Sequence, residues 1–119
     1  MKLIASILLG LSLLATPVLA QANNPDQCVS PAQMAQIAKK YNLTRSVLFE
    51  GDSLKQFKEN NDASNYKPIP EFITGIMIFP EGTSVWQVVL FADGCAITQI
   101  EVPQDVLVPL MDGIKVNNQ

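Results

Sequence analysis

Few side chains of this sequence suit chemistry at a reactive centre, and the absence of histidine limits them most. The 119-residue chain has no histidine and two cysteines, Cys28 and Cys95. Without histidine there is no Ser-His-Asp triad, no Cys-His pair and no histidine ligand for zinc or haem. Two distant cysteines do not supply the four thiolates of a structural zinc or iron–sulfur site. We therefore expect no metal site and no cofactor.

Carboxylates are the remaining candidates for acid–base chemistry. Glu50 and Asp52 flank Gly51, and a pair of carboxyl groups suffices for glycoside hydrolysis or contributes to calcium binding. This short segment lacks the ligand spacing of a calcium loop, and a helix-cap role explains Asp52 without catalysis. A carboxylate hydrolase is one alternative, but the residue types favour a protein that is not an enzyme.

The first twenty residues have the pattern of a secretory signal peptide. Lys2 supplies the positive charge, segment 3–14 is almost entirely apolar, and small residues suit cleavage after Ala20. The apolar run is shorter than the roughly 20 residues that span a bilayer. We predict that residues 1–20 are removed, leaving a periplasmic or extracellular protein with no stable membrane anchor.

An oxidising compartment gives the two cysteines a structural interpretation. An even number of cysteines in an exported chain predicts one disulfide, Cys28–Cys95, across 67 positions of sequence. The alternative is a thiol-dependent redox or covalent activity at Cys95, which follows an Asp-Gly turn. No Cys-x-x-Cys motif supports that alternative.

The charge balance argues against nucleic acid as a partner. The full chain has 8 basic and 11 acidic side chains. Removing the first twenty residues removes one charge, Lys2, and leaves a formal net charge of −4. Nucleic-acid binding by counterion release requires a basic surface, so this class is excluded.

The sequence pattern predicts one α+β domain over residues 28–116, after a flexible lead-in at 21–27 and before a frayed tail at 117–119. The first helix begins with Ser30-Pro31, which suits an N-cap and a first-turn proline. Turn residues, among them Asp93-Gly94, separate the strands of an antiparallel meander. The predicted helices are 31–41, 53–60 and 104–112, and the predicted strands are 71–79, 84–91 and 95–102, with a short extra strand within 44–50.

The first two meander strands are apolar on both sides, so both sheet faces are predicted to be covered. We favour coverage by the domain's own helices over coverage by a partner, a ligand or a second copy. The third strand places Gln99 and Glu101 opposite Ile100 and Val102, which indicates an edge or a solvated face. Pro109 predicts a kink or a restart in the last helix.

The predicted function is non-enzymatic binding, as an accessory subunit, inhibitor or envelope interaction protein. The partner is expected to be another protein of the envelope or extracellular space, or a second copy of this chain. The candidate binding surface joins the 60–70 loop, with Tyr66, to the hairpin tips at Glu81 and Asp93. The Asp-Gly-Cys hairpin, followed by an alternating strand and a helix led by Val-Pro, resembles many small exported bacterial proteins. That resemblance implies no particular activity.

Overall fold

The computed structural model describes residues 28–64, 67–81 and 84–115. The predicted signal peptide, lead-in and frayed tail lie outside these residues, as does Tyr66. The described chain folds as three helices and a four-stranded antiparallel sheet, which confirms the predicted α+β class. Its elements are α1 Pro31–Lys39, β1 Val47–Phe49, α2 Gly51–Ala63, β2 Gly75–Phe79, β3 Val85–Ala92, β4 Cys95–Pro103 and α3 Gln104–Met111.

The sheet is a meander in which each strand pairs with its neighbour in sequence, in the order β1-β2-β3-β4. The strands pair without a register shift from the Phe49–Ile76 pair, between β1 and β2, to the Leu90–Thr98 pair, between β3 and β4. Beyond that pair, Ile97 is an extra residue of β4, so that Phe91 lies opposite Ala96. This β-bulge bends the strand just after the Asp93-Gly94 turn.

Local capping explains the bounds of α1. The Ser30 hydroxyl accepts a hydrogen bond from the Gln33 backbone N–H, and the Gln33 side chain accepts one from the Ser30 N–H. At the other end Asn42 has φ of 68°, and the Leu43 N–H donates to the carbonyl of Ala38. This left-handed cap turns the chain sharply. The helix therefore ends two residues before the predicted boundary.

The second helix begins two residues before its predicted start and runs three residues past its predicted end, where two asparagine side chains bond outside the helix. The Asn61 amide donates to the Lys67 carbonyl (2.8 Å), and the Asn60 amide donates to the Leu110 carbonyl (2.9 Å). Asparagine ends helices when its side chain competes for nearby backbone groups. Here the Asn60 side chain binds the distant α3 and the Asn61 side chain binds the loop that follows α2, and the helix continues to Ala63.

The strand predicted over 71–79 is shorter, because its first residues form a turn. The Ile73 N–H donates to the Pro70 carbonyl, and the ammonium group of Lys58 donates to the Ile73 carbonyl. β2 begins only at Gly75. Helix α3 continues through Pro109 and ends two residues later, at Met111, so no break separates two helical pieces.

Two hydrophobic clusters confirm that the domain covers both sheet faces itself. On one face, Val29 and residues of α1 pack on β2 and β3; on the other, α2 and α3 pack on β1, β2 and β3. The first cluster includes Val29, Met34, Ala38, Met77, Phe79, Val89 and Phe91, and the second includes Phe49, Leu54, Phe57, Ile76, Ile78, Val88, Leu107 and Leu110. The sheet is thus the middle layer of three.

Strand β4 forms one edge of the sheet, as its alternating pattern predicts. Glu101 is exposed, but Gln99 is only 4% exposed and is not on a solvated face. Across the part of the chain that the structure describes, no helix is long and apolar enough to cross a membrane.

Candidate functional site

The two cysteines form the predicted disulfide, and with it they anchor the start of the domain to the sheet. The Cα atoms of Cys28 and Cys95 are 4.9 Å apart, within the normal range for a disulfide. One residue later the Ala96 N–H donates to the Val29 carbonyl (2.9 Å). Both sulfurs are used in this bond, so Cys95 presents no free thiol for the alternative activity.

Glu81 has a structural role at the end of β2. Its Oε1 accepts a hydrogen bond from the Arg45 backbone N–H (2.6 Å), and its Oε2 lies 3.4 Å from the Thr44 hydroxyl. The Arg45 guanidinium donates to the carbonyl of Pro80. These contacts fasten the segment before β1 to the segment after β2, so the Glu81 carboxylate is engaged within the fold.

Asp93 lies at the tip of the β3–β4 hairpin, where it is exposed and has φ of 54°. Gly94 follows with φ of 79°. Two consecutive left-handed residues form the tight turn that twisted hairpins prefer. Glu81 and Asp93 follow opposite ends of the β2–β3 pair, since Phe79 lies opposite Gln87 and Gly75 opposite Phe91. The structure therefore does not bring these two predicted site residues together.

Glu50 and Asp52 both lie where α2 begins. Glu50 directly precedes the helix, and its backbone N–H donates to the Ser53 hydroxyl (3.1 Å). Asp52 is exposed in the first turn, where a carboxylate interacts favourably with the helix dipole. No group of three or more Cys, Asp or Glu side chains within residues 28–64, 67–81 and 84–115 is arranged to hold a metal ion.

A chain of amide and carboxylate groups crosses β3 and β4 on the face covered by α1. Nε2 of Gln99 donates to Oε1 of Gln87 (2.9 Å), and Nε2 of Gln87 donates to Oε2 of Glu101 (3.0 Å). The Glu101 carboxylate only accepts, so it fixes the direction of the chain. Oε1 of buried Gln99 remains without a hydrogen-bond partner among the described residues. These bonds hold β3 and β4 in one register.

An apolar groove opens at the far end of the sheet from Asp93. We call it the α3 groove; its volume is about 770 Å³ and its lining includes Val85, Pro103, Asp105, Val108 and Pro109. Val85 and Val108 are 42% and 48% exposed. Because the core of α3 uses Leu107 and Leu110, Val108 is an apolar residue on the other side of the helix.

The sequence analysis did not predict this groove, although the amino-acid sequence contains one signal for it. That signal is Val108, an apolar residue of the last helix that is not part of the core formed by Leu107 and Leu110. An apolar residue outside the core face of a short amphipathic helix indicates a contact surface only when other exposed apolar residues lie beside it. Val85 is 23 positions earlier in the sequence, and only the pairing of Val85 with Pro103 brings it there.

The fold and these surfaces define a small disulfide-linked α+β domain of three layers. Comparisons of the chain with protein-family models, with curated proteins and with solved structures found no match.

Proposed function

We propose that this chain is an exported protein that works outside the cytoplasm by binding another protein through the α3 groove. The Cys28–Cys95 disulfide supports the compartment, since such bonds persist in oxidising spaces. The groove is the observation that carries the binding role. It brings exposed apolar side chains together at one end of the sheet, where Val85 and Pro103 lie opposite each other.

The lining of the groove supports a partner segment with apolar and basic side chains. Val85, Val108 and the two prolines supply apolar contacts, and Asp105 is the one charged side chain among the described lining residues. A segment with apolar side chains and one lysine or arginine is complementary to this set. The formal −4 charge of the chain after residue 20 favours a basic partner in the same way.

Export and the Cys28–Cys95 disulfide can be tested together on protein from its native compartment, with thiols alkylated before lysis. We expect an intact mass that corresponds to cleavage near Ala20, lighter by two hydrogens and without alkylation. Alkylated cysteines, or a retained N-terminal segment, would contradict the proposed compartment.

Groove binding predicts position-specific cross-linking. A photoreactive side chain at position 108 should cross-link to a partner peptide that contains apolar and basic residues. The matched control carries the same group at position 72, because Phe72 is a still more exposed apolar residue and does not line the groove. A further variant carries it at position 93, which tests the surface predicted around Asp93. Equal yields at positions 72 and 108 would refute the proposal, and a product at 93 alone would favour the Asp93 surface.

A further inference from the structure

The outer edge of β4 has a regular pattern of backbone groups. β4 is the last strand of the sheet, and among residues 28–64, 67–81 and 84–115 only β3 pairs with it along its length. The Gln104 N–H donates to the Ser84 carbonyl, which lies on the β3 side. Backbone groups alternate between the two sides of an antiparallel strand. Hence residues 98, 100 and 102 bond toward β3, whereas the N–H and C=O groups of Gln99 and Glu101 point away from the sheet.

Two features limit the open part of this edge. At its start, Val29 already accepts the outward N–H of Ala96, and the bulge at Ile97 bends the strand. At its end, Pro103 has no N–H to donate. The open edge therefore consists of residues 98–102, and its centre is Ile100.

We propose that a second copy of this chain pairs with this edge, antiparallel, about a two-fold axis at Ile100. In this register Gln99 lies opposite Glu101 of the partner subunit, and Glu101 lies opposite the partner's Gln99. Both are hydrogen-bonded pairs, so the four outward backbone groups of each subunit all gain partners. The two four-stranded sheets become one continuous eight-stranded sheet. The contact is isologous, as a closed dimer requires.

The side chains of the open edge agree with self-pairing. Ile100 is 43% exposed and meets Ile100 of the partner subunit in the closer, non-hydrogen-bonded type of pair. Glu101 lies opposite a glutamine of the partner subunit, which avoids two carboxylates directly across from each other. A second copy is the favoured occupant because this register covers the exposed Ile100 with its own counterpart and places the acidic Glu101 beside a neutral side chain.

Cysteine scanning tests both the contact and its register. In the full exported protein, Ile100→Cys should give a covalent dimer under mild oxidation, because paired Cα atoms about 4.5 Å apart suit a disulfide. The matched control is Ile97→Cys, which is equally exposed on the same strand but does not meet its own copy in this register. Peptide mapping should find the bond between two residues 100, with Cys28–Cys95 intact. Equal dimer yields from the two variants would overturn the proposed register.

A non-covalent measurement keeps the test independent of cysteine chemistry. The unmodified protein should sediment as a dimer, and Ile100→Lys should raise the dimer dissociation constant at least about tenfold, as loss of a central contact does. At protein concentrations low enough to keep both proteins monomeric, the urea midpoint of Ile100→Lys should equal that of the unmodified protein. Val108→Lys should leave the dimer intact, which separates this interface from the α3 groove. A monomer at the highest soluble concentration of the unmodified protein would refute the proposal.

Discussion

Replacing both cysteines by serine, Cys28→Ser with Cys95→Ser, should lower the free energy of unfolding by about 4 kcal/mol, the chain-entropy value for a loop of this length. The bond closes 67 residues, more than half of the chain. Without it, the unfolded chain gains conformations, and Val29 and α1 are tied to β4 only by non-covalent contacts. Small domains have total stabilities of only about 5–15 kcal/mol, so this loss is large.

Urea denaturation followed by circular dichroism measures this difference. The unmodified protein in reducing agent is the control, since it should lose a similar amount without any substitution. An unchanged midpoint in both samples would show that Val29 and α1 hold their places without the covalent bond. A loss in the serine variant alone would point to the substitutions rather than to the cross-link.

Phe49→Ala should have an effect of similar size, about 3–5 kcal/mol, because it removes a large side chain from a packed core. Phe49 is fully buried on β1, and its ring centroid is 4.9 Å from that of Phe57 on α2. The contact joins the shortest strand to the longest helix of the described chain. The truncated side chain would leave a cavity where α2 packs on the sheet.

The matched control for this variant is Phe72→Ala, which makes the same chemical change at a side chain that is 63% exposed. Its unfolding free energy should stay within about 0.5 kcal/mol of the unmodified protein. Thermal and urea unfolding of the two variants give the comparison. Equal losses would contradict the packing described for the face covered by α2 and α3.

Local signals of the sequence predicted the elements whose ends are set by nearby residues. Ser30 and Pro31 mark the start of α1, and Asp93-Gly94 marks the tight β3–β4 turn. The prediction failed where distant contacts decide. Asn60 is typical of loops, yet it stays in α2, where its amide donates to the carbonyl of Leu110, 50 positions away. Alternation places Gln99 on the polar side of β4, but α1 covers that face, so Gln99 is buried there and donates a hydrogen bond to Gln87.

The candidate site was predicted in part. The disulfide follows from the number of cysteines and the presumed compartment, and it is present. A surface that joins Glu81 to Asp93 conflicts with the meander predicted alongside it, because successive hairpin tips lie at opposite ends of a meander. The alternating pattern of the third meander strand predicted that β4 lies at an edge, and it does. The α3 groove is not readable from local sequence, since it depends on the pairing of Val85 with Pro103.

The strand order also has a consequence for the speed of folding. Strands adjacent in the sheet are also adjacent in chain order, and the β2–β3 and β3–β4 pairs are hairpins with contacts of short sequence separation. Chains dominated by such contacts fold faster than those that must first close long loops. The pairing of Val29 with Ala96 joins residues 67 positions apart. We therefore expect the β2–β3 and β3–β4 hairpins to form early, and the N-terminal segment to close onto the sheet late.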